Sequence, residues 1–285
     1  REARPDQLDL LRLLAAERRR CGLGKARGNA DSQRAGDQFE QRPSSRLVEV
    51  VEPCRELRRQ CRLRQRVERR DDVGQRRRGI VAQPEEVLLT MGAQNALWMA
   101  AEVLLGPGRL AVQENPAYPG LQVILQQRGC RVVNVDVDAE GLPPERIPNE
   151  ADLVFTTPSH HCPTNATMPI PRRRELLERA RRDNFVIVED DYEFEMSFLK
   201  SASPALKSLD EEGRVIYVGS FSKSLFPGMR LGYLVGSEPF IREARSLRAT
   251  VMRHLPGHIQ RTTAYFLALG HYDAHIARLR QAFKQ

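Results

Sequence analysis

Lys223 follows the apolar run Val215-Ile216-Tyr217-Val218 and is set in the segment Ser220-Phe221-Ser222-Lys223-Ser224-Leu225-Phe226-Pro227-Gly228-Met229-Arg230. It is one of five lysines in a chain with forty arginines. A lysine amine in a partly desolvated pocket gives up its proton readily and condenses with an aldehyde to a Schiff base. Ser220, Ser222 and Arg230 are suited to a phosphate, because guanidinium offers a planar fork to phosphate oxygens. An aldehyde and a phosphate on one ligand point to pyridoxal 5'-phosphate. In isolation, an exposed turn lysine is the plainer alternative.

Three further motifs carry compatible chemistry. In Thr90-Met91-Gly92-Ala93-Gln94-Asn95 a strand ends, a glycine turns the chain and a helix starts. Free N–H groups at such a helix start bind phosphate, though an ordinary strand-to-helix turn has the same sequence. In Pro116-Ala117-Tyr118-Pro119 a tyrosine between prolines presents a rigid face for a flat ring, or else packs on the core. In Val188-Glu189-Asp190-Asp191-Tyr192 an apolar run enters three carboxylates and a tyrosine. A buried carboxylate beside a pyridine nitrogen favours its protonated form, which makes the ring an electron sink. Asp190 is assigned that place and Tyr192 the neighbourhood of the ring hydroxyl. The alternatives are a solvated acidic loop or a magnesium site.

The elements that must position these residues follow from periodicity. From Gly79 onward short apolar runs alternate with helical patterns, which predicts an α/β domain with a largely parallel sheet. Strands are expected at Val87–Thr90, Leu110–Gln113, Val132–Val135, Leu153–Thr156, Phe185–Glu189, Val215–Gly219 and Leu231–Val235. Helices are expected at Ala93–Leu105, Tyr118–Gln127, Pro171–Arg182, Pro239–Leu247 and Ile259–Phe283, the last broken at Gly270. Pro171 suits a first helical position. Each polar motif thereby falls at the carboxyl end of a strand, where α/β sheets gather ligand groups.

The order phosphate turn, aromatic, acid, lysine, together with Thr157-Pro158-Ser159-His160-His161-Cys162-Pro163-Thr164, carries a resemblance. Residues 79–285 resemble the fold-type I, class I/II aminotransferase family, in particular the aminotransferase-like domain of MocR-type transcriptional regulators of the GntR superfamily. The resemblance implies a pyridoxal-phosphate-dependent transferase large domain with a mostly parallel seven-stranded sheet flanked by helices. It implies that Lys223 forms the Schiff base and, in an active enzyme, shuttles the proton. Asp190 would pair with the pyridine nitrogen, Tyr192 contact the ring oxygen and Tyr118 stack on the ring. Ser220, Ser222, Arg230 and the backbone at Gly92, Ala93 and Gln94 would hold the phosphate. The implied partners are a small amine or amino acid, a second copy in a homodimer, and DNA only through a domain outside this chain.

Three positions depart from the family pattern: Asn165 replaces a glycine, Cys162 an aromatic or asparagine, and His161 a glutamine. The family's small C-terminal domain, with its carboxylate-binding arginine, would begin near Gln285. The expected function is therefore a cofactor-binding part of a MocR-type regulator. An active amino-acid aminotransferase is the alternative.

The net charge of +8 belongs to one end of the chain. Residues 1–78 hold 21 arginines and one lysine against 13 acidic residues, and lack Ile, Thr, Tyr, Trp, Met and His. This arm fits a nucleic-acid-binding segment, disorder or a stretch translated out of frame. Its one aromatic and interleaved acids are poorly suited to base stacking. Gly22, Gly24 and Gly28 follow no strand, so they do not make a dinucleotide fingerprint. Five irregularly spaced cysteines form neither a disulfide framework nor a zinc site. No run of about 18 apolar residues is present, and a cytoplasmic setting is expected.

Overall fold

The computed structural model describes residues 78–192 and 203–283. The arginine-rich arm up to residue 77 and Lys200 lie outside the described residues. Seven strands form one sheet in the order β1-β7-β6-β5-β4-β2-β3. They are β1 (Val87–Thr90), β2 (Leu110–Asn115), β3 (Arg131–Asp136), β4 (Leu153–Thr156), β5 (Val186–Asp191), β6 (Val215–Ser220) and β7 (Gly232–Val235). The pairs β2–β3, β2–β4, β4–β5 and β5–β6 are parallel. Strand β7 runs antiparallel to both β6 and β1. The mostly parallel seven-stranded sheet expected from the sequence is therefore present.

Four strands outlast their apolar runs. The informative case is β5, which was expected to stop at Glu189. Its ladder with β6 continues through Asp190 opposite Val218 and Asp191 opposite Gly219. The acids are strand residues, so the solvated acidic loop is corrected. They alternate between the two faces of the sheet as any strand residues must.

Those faces are covered by different helices. On one face Ala96, Leu97 and Ala100 of α1 (Gly92–Leu104) pack with Leu121 and Leu125 of α2 (Pro119–Gln127) and Phe240 and Ile241 of α4 (Glu238–Met252). They meet Ala111, Phe155, Val188 and Val218 of the strands. On the other face Leu176 and Ala180 of α3 (Ile170–Asp183) pack against Val112, Val154, Ile187 and Val215. Adjacent residues in β2, β4 and β5 thus divide between two cores. Near-continuous apolar runs are what such doubly covered strands require.

Helix ends follow local chemistry. Helix α3 starts one residue before Pro171, with Pro169 as its cap, and ends at Asn184 in the left-handed region at φ 58°. Tyr118 lies outside α2 as its cap residue rather than as its first turn. Gly270, at φ 74°, separates α5 (Gly257–Ala268) from α6 (His271–Ala282). These two helices close a smaller core in which Tyr272 and Ile276 meet Phe221 and Leu231.

Gly232 ties the sheet to α1. A Cβ there would lie 2.8 Å from Gly219 O, 2.8 Å from the Gly92 carbonyl carbon and 2.9 Å from Gly92 Cα. All three are backbone atoms with no rotamer to yield. Gly232→Ala should therefore destabilise the protein by about 1–3 kcal/mol, as overpacking does. Gly106→Ala, whose Cβ meets nothing within 4 Å, should stay within about 0.5 kcal/mol of the parent. Urea unfolding of the two variants checks the contrast.

Candidate functional site

Alternation along β5 puts Asp190 on the same sheet face as Val188, the α1 face. On β6 it puts Ser220 on the face of Ile216 and Val218, again the α1 side. Both face the helix whose N-terminus is bare of side-chain caps. Asp190 Oδ1 is buried and accepts no hydrogen bond. Burial first, and then the anions of Asp191 and Glu114, push the Asp190 carboxyl up to about 7. A buried carboxylate without a donor is costly, and a cationic N–H placed beside Oδ1 would remove that cost.

The N-terminus of α1 is assembled with the lysine segment through glycines and an arginine. Gly92, at φ 78°, begins the helix, and a Cβ on it would sit 3.2 Å from Arg230 Nη2. Arg230 itself occupies the left-handed region at φ 47°, a conformation that costs a non-glycine residue about 1 kcal/mol or more. From there its guanidinium reaches back to donate to Met91 O at 3.4 Å. Exposed guanidinium and uncapped helix start share one locus, which is a ready anion site.

Lys223 leaves β6 in a turn closed by Leu225 N donating to Phe221 O at 2.9 Å. Ser220 Oγ accepts from Ser222 N at 3.2 Å, so the two serines expected at a phosphate are bonded to each other through this turn. The lysine side chain is exposed, so the chain does not supply the partial desolvation expected of it. What the fold supplies is position. Ser224, which the sequence reading passed over, is fully buried and accepts a bond from Tyr272 of α6 at 2.7 Å. Phe221 packs edge-on against that same tyrosine. The residues either side of Lys223 are thus pinned while its amine stays free to reach a ligand.

Tyr118 is half exposed, and its hydroxyl donates to Gln94 Oε1 at 3.1 Å. The bond brings the expected stacking residue to the first turn of α1, beside Ala93. Its ring lies over Gly120, where a Cβ would approach within 2.6 Å. That glycine carried no warning in the sequence, because only tertiary placement shows the ring above it. Tyr192 directly follows β5 and donates to His160 O at 3.3 Å.

Glu189 and Asp191 project to the opposite face, where α3 lies. Arg78 Nε is 2.5 Å from Asp191 Oδ2, and Tyr217 donates to the same oxygen at 2.8 Å. Glu189 accepts from the backbone N–H of Leu206 and of Lys207, both at 2.8 Å. Arg173 of α3 lies 3.8 Å from Glu189 and donates to the carbonyls of Met168, Pro204 and Pro158. Burial holds the Arg173 guanidinium down to about 10, against the pull of Glu189. Sequence reasoning missed this network. Arg173 shares a helical face with Leu176 and Ala180, which was the available signal.

The Ser159–Asn165 loop shows why two of the three departures are accommodated. Asn165 replaces the family's glycine at a left-handed position, φ 58°, which asparagine tolerates better than most residues. His161 is buried, with Nδ1 2.7 Å from Thr164 Oγ1 and Nε2 3.0 Å from Pro116 O. It backs Glu114, which accepts from Thr156 Oγ1 at 2.6 Å and from Thr157 Oγ1 at 2.6 Å. Cys162 is exposed. Among the described residues no cluster of His, Cys, Asp and Glu is arranged to hold a metal ion.

Comparison with known proteins gives this arrangement a family. The model of the family described as aminotransferase class I and II matches residues 62–285. The chain belongs to that family. Its curated relatives include the HTH-type transcriptional regulator TauR of Rhodobacter capsulatus, 62% identical over 208 residues, a match covering 73% of this chain and 43% of TauR. The probable rhizopine catabolism regulatory protein MocR of Rhizobium meliloti is 34% identical, over 73% of this chain and 42% of that protein. The resemblance to MocR-type regulators therefore stands. The chain spans less than half the length of either regulator. Among solved structures it resembles the kynurenine aminotransferase of Pyrococcus horikoshii, with TM-score 0.71 and 28% identity over 84% of this chain and 62% of that one. The family match begins at residue 62, ahead of the boundary expected at Gly79.

The Asp190 carboxyl titrates near 7 in the folded chain, whereas an unfolded aspartate titrates near 3.9. The native state thus binds an extra proton between those values. Its contribution to stability is fully present below about pH 4 and is lost as pH rises through 7. Without added ligand, Asp190→Asn should be more stable than the parent at pH 8, by on the order of 2–4 kcal/mol. The difference should shrink towards zero near pH 4. Urea unfolding midpoints across this range check it.

Proposed function

We propose that this chain binds pyridoxal 5'-phosphate, with Lys223 as the attachment amine, and forms the aminotransferase-like, amine- or amino-acid-sensing part of a MocR-type transcriptional regulator. The observation that carries the reading is the buried Asp190 Oδ1, which lacks a donor and lies on the α1 side of the sheet, the side Ser220 also faces. The residues present fit this cofactor. A protonated ring nitrogen would satisfy Asp190, and a phosphate would satisfy the uncapped first turn of α1 and the Arg230 guanidinium packed against Gly92. Relatives named as HTH-type regulators support the regulatory reading, and the Pyrococcus horikoshii enzyme was solved in complex with PMP.

When bound, the cofactor supplies an aldehyde that captures a primary amine and a protonated ring that draws electron density from it. Every other task falls to this chain. Arg230 and the N–H groups of Gly92, Ala93 and Gln94 hold the phosphate end, with Ser220 and Ser222 shaping the turn beside it. Asp190 keeps the ring nitrogen protonated, and Tyr118, bonded to Gln94, covers one ring face. Tyr192 stands by the ring oxygen. Lys223 offers its amine from the turn pinned by Ser224 and Tyr272, and is placed to take up or return a proton. Residues 79–285, joined by Arg78, are the unit we assign to this role, in the cytoplasm and as a homodimer, with DNA contacted through a further domain.

Amino-group transfer to a 2-oxo acid is the second reading, favoured by the likeness to the Pyrococcus horikoshii aminotransferase. Among the described residues no helix is long and apolar enough to cross a membrane.

Borohydride reduction of the protein with added pyridoxal 5'-phosphate should fix a phosphopyridoxyl group on the peptide containing Lys223. Lys223→Ala should abolish both that label and the visible absorbance. A label on Lys207, or colour retained in the variant, would overturn the assignment. Release of a 2-oxo acid from amino acids with 2-oxoglutarate present would favour the enzyme reading over the sensor reading.

A further inference from the structure

The arginine at the start of the described residues belongs electrically to the site on the other side of the sheet. Arg78 is buried, and three segments converge on it. Its Nε pairs with Asp191 at 2.5 Å, its Nη2 donates to Ser159 Oγ, its Nη1 donates to Ser203 O at 2.6 Å, and its carbonyl accepts from Ala205 N at 3.1 Å. Among the described residues it is the one cation within 4.0 Å of Asp191. Arg173, the other buried arginine here, sits against Glu189 and spends its donors on three carbonyls.

Four carboxylates crowd the carboxyl ends of two strands: Glu114 on β2, and Glu189, Asp190 and Asp191 on β5. Glu114 has Thr156, Thr157 and the nearby His161. Glu189 has two backbone donors, Arg173 at 3.8 Å and Arg78 at 3.7 Å. Asp191 has Tyr217 and Arg78. Asp190 has no donor on Oδ1, so its ionisation depends on how well its neighbours' charges are compensated. An uncompensated anion at the adjacent residue would keep a proton on it, and a neutral carboxyl cannot hold a protonated ring nitrogen.

We propose that Arg78 is a positioning residue for the cofactor carboxylate: by neutralising Asp191 through the sheet it lowers the pH above which Asp190 is an anion. The proposal rests on the pyridoxal-phosphate reading of the site.

The test is the pH profile of pyridoxal 5'-phosphate affinity, followed by visible absorbance on the full chain and on Arg78→Met, Asp191→Asn and the double variant. Affinity should fall on acidification as Asp190 takes its proton. Arg78→Met should move that fall about one unit upward, which is about tenfold in affinity on its slope. Asp191→Asn should move it downward, and the double variant should return close to the parent. A residue that merely props the loop would lower the unfolding temperature while leaving the midpoint in place. Midpoints unchanged in both single variants, or moved in the same direction, overturn the proposal while the cofactor reading stands. If Arg78→Met does not fold, the downward shift in Asp191→Asn decides, and its absence is a refutation. A parent protein that takes up no pyridoxal 5'-phosphate fails the reading beneath.

Discussion

Three consecutive acids at the end of a buried strand are the constraint around which this molecule is arranged. Side chains of a strand alternate, so Glu189 and Asp191 must go one way and Asp190 the other. Anions in a doubly covered sheet need partners, and the two faces meet that need differently. The α3 face supplies two arginines, a tyrosine hydroxyl and two backbone N–H groups. The α1 face leaves one carboxylate oxygen without a donor. Asp191 Oδ1 also lacks a donor, but Arg78 and Tyr217 hold the other oxygen of that carboxylate, whereas no cation is paired with Asp190 among the described residues.

The start of α1 obeys a different constraint, one of space. Gly232 brings β7 directly against Gly92 and Gly219, so the start of α1 lies on the strand ends with no side chain between. Arg230 then turns back over that start from a left-handed backbone. The lysine turn is braced from beneath by the α5–α6 core, through Ser224 and Tyr272. Rigid supports around an exposed amine are what a covalent attachment point requires, because orientation rather than burial then limits its reach.

Much of this was legible in the chain. Apolar runs flanked by turn residues placed all seven strands, and their type followed from near-continuous hydrophobicity rather than alternation. Glu-Asp-Asp-Tyr and Ser-Phe-Ser-Lys marked the two strands that carry the site. The length of β5 was not legible, because acids have low strand propensity and only pairing with β6 shows that the ladder continues. Arg78 was grouped with the arginine-rich arm, since local composition cannot distinguish one buried arginine from its neighbours. Ser224 and Gly120 were invisible for a related reason: each matters through a residue distant in the chain or through the space beside it.

The sequence by itself determined the order of elements, the family, and the residue types at each strand end, because periodicity and short motifs are local properties. Which acid lies on the α1 side and which pairs with arginine was decided only in the tertiary structure. Ionisation depends on distances between charges and on the water excluded around them, and those arise when helices from other parts of the chain cover the two faces of the sheet.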